Sequence, residues 1–400
     1  MSELFYPHGG GAELATYLYA KLLSQRGFRV VVIANKFDGE PSIAKSSNMM
    51  VYRLPLFRGS SNIKYSILWR IDVLLSSFIR KLIQWADVVY VPRFWYSAIL
   101  LAKTLKKPVV THLHDYIPIC PLANFFNITE DITCNKRGLM CSQKCIYAYE
   151  RMNSRRFIGV AGSTLLNSTF GCFYSKIIGL SDAVVCVSNA QKNLLLRNGA
   201  VLPSKVRVIY NPLPKITDDI LEIQGNDFGY FGGPNYLKGF HVLYKAATLV
   251  KNIKSVTIHA TKFPGINNQS GFLNGVGIVA YGKLDPVSYK DLYKKIRAVI
   301  VPSLWEEPLP YVVSEALISG RIVIASRVGG ILEQVEGCEG AFLFEAGDYI
   351  ALAEIILYVK DLNKEKIVEL GMRNRELALK KFNSDKIAKN FISLLENVAN

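Results

Sequence analysis

Short apolar runs alternate with longer amphipathic stretches along the whole chain, and this rhythm limits the fold more than any other feature. Residues 28–34, 87–91, 108–112, 183–187 and 206–210 form one set of runs, and 228–232, 255–260, 298–301 and 322–326 form a second. Each is short and mostly apolar, and most are rich in β-branched residues, as strands buried on both faces are. Helical stretches such as Lys238 to Val250 lie between them. Strands that alternate with helices build doubly wound parallel sheets. The two prolines of Asn211-Pro-Leu-Pro-Lys-Ile interrupt both periodicities just after the last run of the first set. The expectation is therefore an α/β chain of two Rossmann-like domains facing across a cleft, about 200 residues each, enough for a core apiece.

Charge is unevenly shared. The 400 residues carry 48 Lys and Arg against 32 Asp and Glu, a net of +16. Residues 1–200 hold 24 basic and 11 acidic residues, so +13 of the total lies in the first half. A field of that sign suits an anionic partner such as a phosphorylated acceptor or a lipid head group. Nucleic acid is excluded as the expected partner, because neither a recognition helix nor a basic strand interleaved with aromatics is visible. No apolar run reaches the ~18 residues of a membrane span, and the N-terminus lacks a signal-peptide pattern. A cytoplasmic protein, peripheral on the inner face of the cell membrane, is the expectation. The stretch Lys64 to Trp85 reads as one basic amphipathic helix, with Trp69, Phe78 and Trp85 beside Arg70, Arg80 and Lys81. It either packs on the sheet or lies on an anionic membrane.

The motifs fall where the runs end, which is where open α/β sheets bind ligands. In Val301-Pro-Ser-Leu-Trp-Glu-Glu-Pro-Leu-Pro-Tyr-Val-Val-Ser-Glu, Glu307 sits on a loop and Glu315 one turn into a helix. A carboxylate accepts two hydrogen bonds from neighbouring hydroxyls, so the pair suits a sugar and a ribose. The alternative is a helix-capping acid and a solvent-facing Glu. Gly9-Gly10-Gly11-Ala-Glu precedes a helix through Leu14, Leu18 and Leu22, and Gly232-Gly233-Pro-Asn-Tyr-Leu-Lys238-Gly239 joins a strand to a helix. Glycines let backbone approach a phosphate or sugar closely, and a lysine offsets charge on a leaving diphosphate. Gly329-Gly330 with Glu333 marks another such turn. Past the third run, His114-Asp115 offers an imidazole to a hydroxyl and an acid to orient it. His112, two residues earlier, is assigned to the opposite face as buried structure.

Gly-rich loop, His-Asp, Gly-x4-Lys-Gly, the Glu-x7-Glu pair and Gly-Gly-x-x-Glu occur in one order. Together they resemble the retaining GT-B glycosyltransferases of family 4 (glycosyl transferases group 1), over nearly the whole chain and most strongly from Asp227 to Asp348. The resemblance implies transfer of a hexosyl group from a UDP-, GDP- or ADP-sugar to a glycan or lipid-phosphate acceptor, with retention. Glu307, Lys238 and His114 would be catalytic, and Gly10, Gly11, Gly232, Lys238, Glu307, Leu309 and Glu315 would bind the donor. Glu307 would hold the sugar, Glu315 the ribose and Lys238 the diphosphate. No catalytic metal or other cofactor is expected. A catalytically decayed nucleotide-sugar-binding protein, or a GT-B phosphorylase or epimerase, is the alternative. The domains implied are 1–212 for the acceptor, 213–380 for the donor, and a helix over 381–400 crossing back to the first.

The chain departs from the pattern in three places. Gly233 stands where many members have Arg, so either Lys238 acts alone or another basic residue reaches in. Leu309-Pro310 replaces Phe-Gly, which removes one amide from the donor cradle. The first strand before Gly9 is missing, so the natural product is expected to start upstream of Met1. An insertion of about 118–150 carries Cys120, Cys134, Cys141 and Cys145. Structural zinc, two disulfides and unpaired thiols are all open for these four.

Overall fold

The structure is a computed structural model that describes residues 1–55, 71–134, 139–152, 173–214, 222–250, 256–266, 271–273 and 277–400. The chain divides into two compact units, Met1–Pro212 with Ser384–Asn400, and Leu213–Asn383.

In the first unit β4 (Val89–Val91), β5 (Val109–Leu113), β8 (Ala183–Cys186) and β9 (Val206–Val208) form a parallel sheet in that order. A second sheet is β1 (Val30–Asn35), β3 (Met49–Leu54) and β2 (Ile43–Ser46), with β1 and β3 parallel. The N-terminal residues touch both sheets. The Ser2 amide donates to Ile33 O of β1 and the Asn35 amide to Glu3 O, both at 3.0 Å, while the Met1 amino group donates to Tyr90 O of β4 at 2.7 Å. The helix Ser384–Ala399 packs in this unit, with Phe391 4.5 Å from the Tyr19 ring and 5.3 Å from Tyr90. The cysteine-bearing segment holds a small hairpin of β6 (Phe126–Asn127) and β7 (Ile132–Thr133) and the helix Leu139–Met152.

The stretch expected as one helix from Lys64 to Trp85 is broken. Residues 64–70 lie outside the described residues, and the rest forms Ile71–Leu75 and Ser77–Trp85. Ser76 ends the first and caps the second, its hydroxyl accepting the Ile79 amide at 3.2 Å. A serine competes for backbone groups in this way and so favours a cap over a helix interior. Ile79 and Ile83 face inward, while Leu75, Phe78 and Trp85 are exposed. Among the described residues no helix is long and apolar enough to cross a membrane.

The second unit is built on one seven-stranded sheet. Its order is β12 (Gly271–Phe272), β13 (Ile278–Ala280), β11 (Ile258–Ala260), β10 (Asp227–Tyr230), β14 (Ile296–Val301), β15 (Ile322–Ser326) and β16 (Ala341–Phe344), with only β12 antiparallel. Every residue of β14 and β15 is buried, as the unbroken apolar runs predict. The charge in β14 has a structural task. Arg297 Nη1 donates to the carbonyls of Val359, Lys360 and Leu362 at 2.8–3.0 Å, satisfying the end of the helix Tyr349–Asp361.

Candidate functional site

In the second unit, β11, β10, β14 and β15 are consecutive neighbours, so the loops at their carboxyl ends meet at one edge of the sheet. Two glycines fix how closely. Gly239 has φ +72, and a Cβ there would lie 1.7 Å from Pro302 O, so the loop after β10 rests directly on the start of the loop after β14. Gly329, at φ +49, would put a Cβ 2.3 Å from Glu307 O, and its neighbour's amide donates to that same oxygen at 2.7 Å. Only glycine adopts such conformations without strain while allowing backbone this near.

This packing brings Lys238 onto Glu307. Glu307 Oε1 accepts from Lys238 Nζ at 2.6 Å, from Ser303 Oγ at 2.7 Å and from Trp305 Nε1 at 3.0 Å. All three donors converge on one oxygen of a carboxylate whose side chain is 3 % exposed. No described residue donates to Oε2, so that oxygen keeps its accepting capacity. The lysine is the open partner at 37 % exposure, and its ammonium also lies 5.4 Å from the Trp305 ring centroid. Sequence reasoning placed Lys238 and Glu307 on different parts of one ligand; the structure joins them to each other.

The glycine loop is stapled from beneath. Tyr230, at the end of β10, donates from its hydroxyl to Gly233 O at 2.8 Å, and the Lys238 amide donates to Asn235 Oδ1 at 3.2 Å. Gly232 must be small, since a Cβ would lie 2.4 Å from that hydroxyl. Gly233, at φ +66, faces another basic residue: its Cβ would fall 3.0 Å from Lys262 O and 3.4 Å from Lys262 Cβ. Lys262 follows β11 with φ +69, a conformation few non-glycine residues adopt. Burial lowers the pKa of its ammonium; Glu315 opposes this, while Lys238 and Lys283 reinforce it. Lys238 therefore has a basic neighbour, which the sequence left open.

Glu315 lies in the helix Tyr311–Ile318, and its Oε2 accepts the Tyr289 hydroxyl at 2.8 Å. Burial raises its pKa, against the Tyr289 hydrogen bond and Lys262. Pro310 occupies the N-cap of that helix with φ −72, where a missing N–H costs least, and its carbonyl accepts Gln334 Nε2 at 3.1 Å. Leu309, beside it, is buried.

The first unit holds a second cluster, made differently. Gly10 caps the helix Gly11–Gln25, and its amide donates to Glu13 Oε2 at 2.7 Å, the Glu half of a capping box, which the Gly-x-x-Glu spacing encodes. The other Glu13 oxygen is paired with Arg93 Nη1, and Arg93 Nε lies 3.6 Å from Asp115 Oδ2. Asp115 Oδ1 accepts the Ile117 amide at 3.0 Å. His114 follows β5 directly, and its ring stacks on His112 at 4.4 Å. His112 thus shares a face with His114 rather than opposing it, because strand side chains two residues apart point the same way. It is fully buried, as expected, with Nδ1 2.8 Å from the Tyr90 hydroxyl. Burial, and then Arg93, push the His114 imidazole down to about 3, so it is neutral near pH 7.

Of the four insertion cysteines, the Cys141 side chain lies outside the described residues. Cys120 and Cys145 Sγ donate to Asn124 and Asn127 Oδ1 at 3.6 and 3.5 Å, around a small core of Leu122, Cys145 and Ile146. Among the described residues no group of three His, Cys, Asp or Glu is placed to hold a metal ion.

Three comparisons bear on this geometry. Residues 9–214 match the model of Glycosyltransferase Family 4, and residues 225–361 that of Glycosyl transferases group 1. The chain is 24 % identical to an uncharacterized 42.6 kDa protein in the cps region of Klebsiella pneumoniae, covering 83 % of this chain and 86 % of that one. Among solved structures it is similar to the sucrose-phosphate synthase of Thermosynechococcus elongatus, with a TM-score of 0.69, 17 % identity, and coverage of 98 % of this chain and 94 % of that one. It is also similar to HepE of Anabaena in complex with UDP and glucose, with a TM-score of 0.64, 17 % identity, and coverage of 99 % and 98 %. Both likenesses are of fold.

Proposed function

Since the chain belongs to Glycosyltransferase Family 4 and is a glycosyltransferase with the GT-B fold, we propose that it moves a hexosyl group from a nucleoside-diphosphate sugar to a glycan or lipid-linked acceptor, with retention. The observation that carries this reading is Glu307: three donors hold one oxygen while the other is left to accept a sugar hydroxyl. Three hydrogens on Lys238 allow it to keep Glu307 and still meet a phosphate oxygen. Lys262 supplies the further positive charge that Gly233 does not, so charge growing on the leaving diphosphate is met by the protein's own cations. Glu315, with Tyr289 on one oxygen, is assigned the ribose diol. Gly10, its amide held by Glu13, lets the loop come close to the donor, Gly11 offers its amide at the start of the helix, and the neutral His114 offers a hydrogen bond to a sugar hydroxyl rather than a competing charge.

The complex of the similar Anabaena protein with UDP-glucose supports a UDP-sugar as the first donor to test. The excess of basic residues in positions 1–200 supports a phosphorylated, membrane-held acceptor and attachment to an anionic surface. Release of nucleoside diphosphate is to be assayed across UDP-, GDP- and ADP-sugars, with and without lipid-linked acceptor. Turnover is expected with one nucleotide class, without added divalent metal, and to fall about 100-fold or more in Lys238→Ala. Near wild-type turnover in that variant refutes the assignment.

A further inference from the structure

Arg93 follows β4 in the segment Val91-Pro-Arg93-Phe94-Trp95, between two acids on different elements, Glu13 in the first turn of the helix Gly11–Gln25 and Asp115 in the turn after β5. Glu13 is 2 % exposed and Asp115 9 %. Each carboxylate has one oxygen turned to the guanidinium and the other on a backbone amide. For Glu13 that amide is Gly10, and for Asp115 it is Ile117. One planar cation therefore ties the Gly9–Gly11 loop to the turn that carries His114. Burying two acids against a partly exposed guanidinium gains little stability, because desolvation of the carboxylates offsets most of the attraction. What such a group does supply is fixed geometry, and the planar fork of arginine suits two carboxylates at once.

We propose that Arg93 is a positioning residue that fixes the Gly10–Gly11 amides and the His114 imidazole relative to each other. This rests on the role assigned to His114 above. The charges around it agree. Burial works against the Arg93 cation, yet Glu13, Asp115 and Glu3 outweigh it and raise its pKa. The same cation stands against protonation of His114, whose other neighbour is the stacked His112 ring. Tyr96 and Tyr174, both buried, sense Asp115 and Glu3 and stay protonated. Removing Arg93 takes a positive charge away from beside Glu13, Asp115 and Glu3, and from beside His114, so His114 becomes easier to protonate.

The test uses the full chain with isotope-labelled histidine, the His114 signals being assigned with His114→Gln. In the wild type His114 stays neutral down to pH 5. In Arg93→Met it is expected to titrate at least one pH unit higher, with an acid limb entering the pH profile of kcat/KM. Arg93→Lys keeps the charge and the fold but cannot bridge both acids, so kcat is expected to fall about 10-fold while the KM for donor changes little. A folded Arg93→Met with an unmoved His114 titration, or Arg93→Lys with wild-type kcat, overturns the proposal. If His114→Gln itself turns over normally, the assigned role of His114 fails instead, and the titration still judges Arg93.

Discussion

The clusters of the two units solve one problem by opposite means. Around Glu307 a buried carboxylate is held by a lysine, a serine and an indole, and the loops carrying them are pressed together by glycine backbone. Around His114 the loops are joined by charge, with one guanidinium between two buried acids. The first arrangement depends on close backbone approach around a single ion pair. The second depends on protonation states, so pH reaches it. The difference shows that a site can be rigid through sterics in one half of a chain and through electrostatics in the other.

The largest effect expected is at Glu307. Glu307→Ala removes the acceptor on which three donors converge, and kcat should fall about 1,000-fold; Glu307→Gln should recover part of it. A loss below 10-fold in steady-state turnover would break the reading of that cluster. Next is the steric frame. Gly239→Ala should cost roughly 3 kcal/mol, from the clash with Pro302 and the left-handed backbone, with a thermal midpoint lowered equally at low and high salt. A salt-dependent loss would erase the contrast between the clusters.

Acid should act on the first unit. His114 has a folded-state pKa of about 3 and His112 one well below the ordinary 6.5, so the unfolded chain binds more protons as pH falls below 6.5. Their contribution is fully present above pH 6.5 and is lost as pH falls, by roughly 1.4 kcal/mol per unit for each histidine. Urea unfolding at pH 7 and 5 measures this, and His112→Phe should flatten the slope. The smallest effect is expected at Lys262. Lys262→Ala should raise the KM for donor about 10-fold, with kcat changed less, because it withdraws one cation and spares Glu307. Unchanged donor kinetics would leave Lys238 as the acting cation.

Much of the fold was legible. Strand positions of the second set could be read because strands buried on both faces carry unbroken apolar runs, and Ile322–Ser326 coincides with its run. β16 was not read, because Ala-Phe-Leu-Phe follows a glycine-rich turn and is too short to stand out from loop. The motif residues were legible as types at strand ends. Their partners were not: Tyr230, Tyr289 and Lys262 sit on other elements and carry no local spacing signal, and Arg93 is one basic residue beside aromatics. The burial of His112 was read correctly, but its face was misassigned although the period of two was in the sequence.

By itself the sequence determined the alternating α/β architecture, the carboxyl-end placement of the motifs and the glycines on which close approach depends, because those follow from local periodicity and backbone freedom. Only the tertiary structure decided that Lys238 and Glu307 share an oxygen, that Lys262 lies beside Gly233, and that Arg93 links two loops. Such pairings join residues 22 to 80 positions apart, and only the order of strands in a sheet brings neighbours of that separation together.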